Sequence, residues 1–118
     1  MEAIQELAVW RRSKNFAVKI YKAFTSCKDF GLKDQITRAS VSVASNISEG
    51  YDRNSKKEFA RYLKMAKGSC AEVRTQLYIS EEIGILDKSL AKELRAESLE
   101  LTKMLQGLIN HCYLQGKS

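Results

Sequence analysis

Apolar side chains recur along the chain at alternating steps of three and four, the spacing that gathers them on one face of an α-helix. The pattern predicts a first helix over about residues 5–26, with Val9, Phe16, Ile20 and Phe24 on its face and Trp10, Ala17 and Tyr21 broadening it. The polar run Ser26-Cys27-Lys28-Asp29-Phe30-Gly31 should end it. A second helix is expected over 32–51, where Leu32, Ile36, Ala39, Val43, Ile47 and Gly50 step by four and three. Asp52-Arg53-Asn54 reads as a turn, and Ser55 followed by Glu58 has the spacing of a capping box, which satisfies two otherwise orphaned N–H groups. The third helix, 55–83, carries the clearest seam: Phe59, Leu63, Ala66, Cys70, Val73, Leu77 and Ser80. Gly84 suits the position after a helix end and Asp87 an N-cap. A fourth helix over 88–114 follows, with Ala91, Leu94, Ser98, Leu101, Leu105, Leu108 and Cys112 in line. No stretch has the signature of a strand. Long helices joined by short connections imply antiparallel neighbours. The expected fold is therefore an all-α, up-down-up-down four-helix bundle forming a single domain over 1–118.

Composition agrees with one core. The 118 residues include no proline and six glycines, with 44% hydrophobic and 29% charged positions. A chain of this size buries roughly two-thirds of its unfolded surface, enough for one core without disulfides. No apolar run approaches the roughly 20 residues that cross a bilayer, and Met1 to Trp10 holds two glutamates and no basic stretch. Neither a membrane span nor an export signal is expected, which points to the cytoplasm. Cys27, Cys70 and Cys112 form an odd set without C-x-x-C spacing, so reduced thiols are expected. Only His111 is available to join them at a zinc ion, which needs four such ligands; no metal or other cofactor is expected.

Charge adds a direction to the picture. Net charge is +6, and it is concentrated in two stretches. Residues 11–38 hold eight cations against Asp29 and Asp34, and residues 53–74 hold seven against Glu58 and Glu72; the remaining segments are net negative. At about 100° per residue, Arg53, Lys56, Lys57, Arg61, Lys64, Lys67 and Arg74 fall within an arc of about 140° on the third helix and its entry. The apolar seam points about 120° away. One shared cationic flank suits a polyanion partner, RNA before DNA. Tyr62 is the only aromatic near that arc and lies towards the core edge, so phosphate contacts should dominate over base stacking. The same flank would also fit an acidic protein, with the chain as an interaction scaffold. The plainest alternative is a set of solvated helix faces.

Two other features interrupt the apolar pattern. Gly68-Ser69 lies mid-helix, where glycine costs roughly 1 kcal/mol relative to alanine; such a site usually admits a second helix, from the same subunit or another. Asn46 and Glu49 flank the Val43–Ile47 stripe. Asn46 is expected to bond backbone and Glu49 to pair with Arg53 four residues on, although the three together would also make a polar pocket. That trio is the only candidate for catalysis. His111 and Cys112 adjoin, but neighbours on a helix diverge by about 100° and cannot act on one another. Phosphate-loop, H-E-x-x-H and G-x-S-x-G motifs are absent from the sequence. The chain is therefore expected to be non-enzymatic.

The run from Leu32 through Gln35, Arg38-Ala39 and Ser45-Asn46-Ile47-Ser48-Glu49-Gly50 to Arg53 resembles the L-x-x-Q-x-x-R-A-x-x-S-I-P-S-N-I-A-E-G-x-x-R signature of the 23S rRNA intervening-sequence proteins. Lys57-Glu58-Phe59 and Ala66-x-Gly68-Ser69-x-x-Glu72 are similar to that family's following block. Leu7-Ala8-Val9-Trp10 and Met104-Leu105-Gln106-Gly107-Leu108-Ile109 resemble its opening and closing motifs. Ala44 stands where the family usually has proline, and Cys27 to Gly31 replaces its F-P turn. The resemblance implies a bacterial four-helix bundle that assembles as a homopentamer. It also implies kinship with the accessory proteins of diversity-generating retroelements, basic rings that bind nucleic acid and a polymerase.

Overall fold

A computed structural model describes Ile4 and residues 7–116, with side chains as far as Leu114. It contains four helices, α1 (Ala8–Ala23), α2 (Phe30–Asp52), α3 (Lys56–Glu82) and α4 (Lys88–Gly116), and no strand among the described residues. Cross-helix pairs fix the directions. Arg12 and Lys19 of α1 meet Met104 and Glu97 of α4. Ser42 and Gly50 of α2 meet Ser69 and Tyr62 of α3, and Arg74 and Glu81 of α3 meet Ser98 and Arg95 of α4. In each pair of helices one number rises as the other falls, so the neighbours run antiparallel. The bundle is a rod of 50 × 21 × 20 Å, with α1 and α3 at opposite corners.

The predicted seams form the core. Phe16, Ile20 and Phe24 of the first segment, Ile36, Val43 and Ile47 of α2, Leu63, Cys70, Val73 and Leu77 of α3, and Leu101 and Leu105 of α4 are fully buried. Burial of one such side chain is worth about 1.5–3 kcal/mol. Two positions differ from the expected pattern. Ile109 takes the core place expected of Leu108, because α4 steps by four from Leu105 and then by three to Cys112. Tyr21, expected on the core face of α1, is 51% exposed; it lies one residue past Ile20 and rotates outward.

Element ends follow their caps. The expected start of the first helix at Gln5 lies outside the described residues. Its end comes at Ala23, earlier than Ser26, where Phe24 leaves helical geometry at φ −104° and ψ 11° with its ring buried in the core. α2 begins two residues before Leu32: the Asp29 carboxylate accepts from the Leu32 N–H at 3.1 Å, an N-cap that overrides the glycine beside it. Ser55 caps α3 by accepting from Glu58 N–H at 3.3 Å. The Glu58 carboxylate does not close the box, because it turns to Arg61 instead. Gly84, at φ +80°, follows the end of α3, and Asp87 accepts from Leu90 N–H at the start of α4, both as expected. No described helix is long and apolar enough to cross a membrane.

Candidate nucleic-acid interface

Five of the seven predicted cations gather at the α2–α3 end of the rod. Arg53 follows α2, and Lys56, Lys57, Arg61 and Lys64 occupy the first turns of α3; all five are exposed. Three of them are held in place. Arg53 donates through Nη2 to the Tyr62 hydroxyl at 2.7 Å and lies 5.1 Å from the ring centroid, while Arg61 sits 4.7 Å from the same ring. Arg61 also forks onto Glu58, at 3.1 and 3.2 Å. That hydrogen bond holds the Glu58 carboxyl below its ordinary range and raises the guanidinium further, so the pair stays ionised. Lys64 donates to the Tyr113 hydroxyl and lies 4.8 Å from that ring. Lys56 and Lys57 make no ion pair among the described residues.

The other two predicted cations turn away. Lys67 donates to Gln106 Oε1 on α4. Arg74 is half-buried between α3 and α4, donating to Ser98 Oγ at 3.1 Å and Thr102 Oγ1 at 2.8 Å. Both lie at the edge of the calculated arc nearest α4. A helical wheel places them with the exposed set, but it does not know where the neighbouring helix stands. The tyrosine platforms were the part of the site that spacing missed. Spacing puts Tyr62 only at the core edge, and Tyr113 is remote in sequence from the lysine it holds.

Asn46, Glu49 and Arg53 are not brought together. Asn46 faces inward and donates to the Ser42 carbonyl at 2.9 Å and to its hydroxyl at 3.0 Å; Ser69 of α3 donates to the same hydroxyl at 3.0 Å. The Ser69–Ser42 bond joins α2 to α3, and Asn46 braces Ser42 from within α2. Glu49, about 60° round α2 from Asn46, is exposed at the α1 side and does not pair with Arg53 as expected, because Arg53 is taken by Tyr62. Gly50 is where α2 and α3 come closest: a Cβ there would lie 2.6 Å from Tyr62 Cβ and 3.1 Å from Phe59 Cδ1. Gly68 is the opposite case. It admits no second helix within the chain, and a Cβ there would meet no atom within 4 Å.

No group of three or more metal-type ligands occurs among the described residues. His111 is exposed and Cys112 buried, the divergence their adjacency predicts. Burial pushes the Cys70 and Cys112 thiols up. Both should therefore resist alkylation while half-buried Cys27 reacts, as counted by mass spectrometry after brief iodoacetamide treatment. A thiol raised in the native state stays neutral there while the unfolded one ionises. Its stabilising contribution is complete below about pH 8.5 and is lost as pH climbs towards the folded value. The urea midpoint should accordingly fall between pH 7.5 and pH 9.5, and by less in a Cys70→Ala variant.

The architecture and this end of the rod define a class, a basic antiparallel four-helix bundle with its cations on tyrosine supports. The family model described as 23S rRNA-intervening sequence protein matches residues 5–107, and the chain belongs to that family. It is similar to a solved structure from Bacteroides thetaiotaomicron, titled as a protein with unknown function from the S23 ribosomal protein family. The identity is 27% and the TM-score 0.80, over 86% of this chain and 97% of that one. No curated protein matches the chain.

Proposed function

We propose that this is a non-enzymatic, self-associating cytoplasmic protein that binds structured RNA through its α2–α3 end. The observation that carries the reading is the exposed set Arg53, Lys56, Lys57, Arg61 and Lys64, three of them oriented by Tyr62 and Tyr113. Pre-oriented cations lose less side-chain freedom on meeting a phosphate than free ones do. The family description refers to 23S rRNA, which favours RNA over DNA. In the homopentamer implied by the sequence resemblance, +6 per chain becomes about +30, a field that steers a polyanion. Lys67 and Arg74 are left out of the interface because α4 holds them.

Filter binding to a folded RNA hairpin tests the reading. Five phosphate contacts give a slope of about −4 in log affinity against log salt, a loss of a few hundred-fold between 50 and 200 mM. An affinity indifferent to salt, or no binding at 50 mM, overturns it. A protein-interaction scaffold is the second reading, favoured by exposed apolar side chains such as Tyr21, Val41 and Ile79. A pull-down with and without nuclease separates the two, since an RNA-borne partner disappears on digestion.

A further inference from the structure

Exposed apolar side chains lie in two places that neither the core nor the cationic end uses. One is a groove of about 790 Å³ between α1 and α2, lined by Trp10, Ala17, Val18 and Tyr21 on one wall and Val41 and Ala44 on the other. Val18, Tyr21 and Val41 are each at least 40% exposed. The other is the outward face of α3 and its cap, where exposed Met65, Ile79 and Ile83 lie in one line with Gly68, Glu72 and Thr75, stepping by three and four. α3 thus carries two seams, the inner one buried and the outer one exposed. Exposed apolar side chains aligned on one helix face with small and charged residues between them suit packing against another helix.

We infer that the outer face of α3 from a second copy of this chain lies in the α1–α2 groove. The proposal rests on the self-association in the reading above and supplies its contact. Charge is complementary. The groove bears Lys14 and Lys22 against Glu49, whereas the ridge bears exposed Glu72 and Glu82, which make no ion pair among the described residues. By helical rise the two lysines are about 12 Å apart and the two glutamates about 15 Å, within reach of one another's side chains. The ridge also explains Gly68. A glycine in mid-helix costs roughly 1 kcal/mol and meets nothing in its own chain, but at the centre of the ridge it lets a second backbone come close. Groove and ridge are different surfaces, and α1 and α3 occupy opposite corners, so one chain can use both at once. Such a head-to-tail contact closes into a ring when the rotation allows. Arg53, Lys56 and Lys57 lie beyond the ridge and stay open to RNA, whereas Arg61 and Lys64, four residues and one residue before Met65, stand at its border.

Complementation tests this directly. Tyr21→Glu spoils the groove and leaves the ridge, while Ile79→Glu spoils the ridge and leaves the groove. Both positions are exposed, and circular dichroism checks that each variant folds. Light scattering on the wild type should give a multiple of 13.4 kDa, and on each variant alone a monomer. An equimolar mixture of the two should form a dimer through the one intact pair of surfaces. Gly68→Leu, which a helix accepts readily, should dissociate the assembly without lowering helicity. If the wild type oligomerises and the variants do so equally, or if the mixture stays monomeric, this contact is wrong while self-association stands. A monomeric wild type overturns both.

Discussion

Gly50→Ala is expected to lower stability by about 1–3 kcal/mol, the range for forcing an extra carbon into a packed interior. The added Cβ would sit 2.6 Å from Tyr62 Cβ, and neither backbone can yield without parting α2 from α3. In a chain of this length each kcal/mol moves the melting temperature by roughly 3–6 °C. A drop of several degrees by calorimetry is therefore the expected reading, and an unchanged midpoint would refute the close approach. A branched residue such as valine should leave no folded protein at 37 °C. Because Tyr62 also supports Arg53 and Arg61, any Gly50→Ala protein that remains folded should bind RNA more weakly.

The fourfold variant Arg53→Ala, Lys57→Ala, Arg61→Ala, Lys64→Ala is expected to lose about 100-fold in RNA affinity at 100 mM salt. Its salt slope should flatten by three to four, at about 0.9 per phosphate contact removed. All four side chains lie off the apolar core, so the melting transition should move little. Arg74→Ala supplies the contrast. It strips a charged donor from Ser98 and Thr102 and should cost about 1–2 kcal/mol of stability while leaving affinity within twofold. Equal losses of affinity from both variants would mean that the cations act through total charge and not through their placement.

Much of the fold was legible because four amphipathic periods, Gly84 and the Ser55 and Asp87 caps all encode local geometry. Helix ends drifted at single residues, where Asp29 caps α2 and Phe24 leaves helical geometry with its ring buried. The site was legible in part. Helical spacing located Arg53 to Lys64 on one flank, but a wheel treats its helix as alone, so Lys67 and Arg74 were counted before α4 claimed them. The same blindness hid Tyr113, whose contact with Lys64 exists only because α3 and α4 run antiparallel. Glu49 was expected beside Arg53 by spacing, and an aromatic hydroxyl nine residues away outcompeted it.

The hydroxyls of Ser42 and Ser69, with the Asn46 amide above them, set where α2 stops along α3. Sliding the helices by one turn, about 5.4 Å, would still match oily positions to oily positions. It would break the half-buried bond from Ser69 to Ser42, which crosses between the helices, at about 0.5–1.5 kcal/mol. A cluster so small works as a notch between two smooth rods, so that only one of several near-equal alignments survives and the end that carries the cations is built the same way in every molecule.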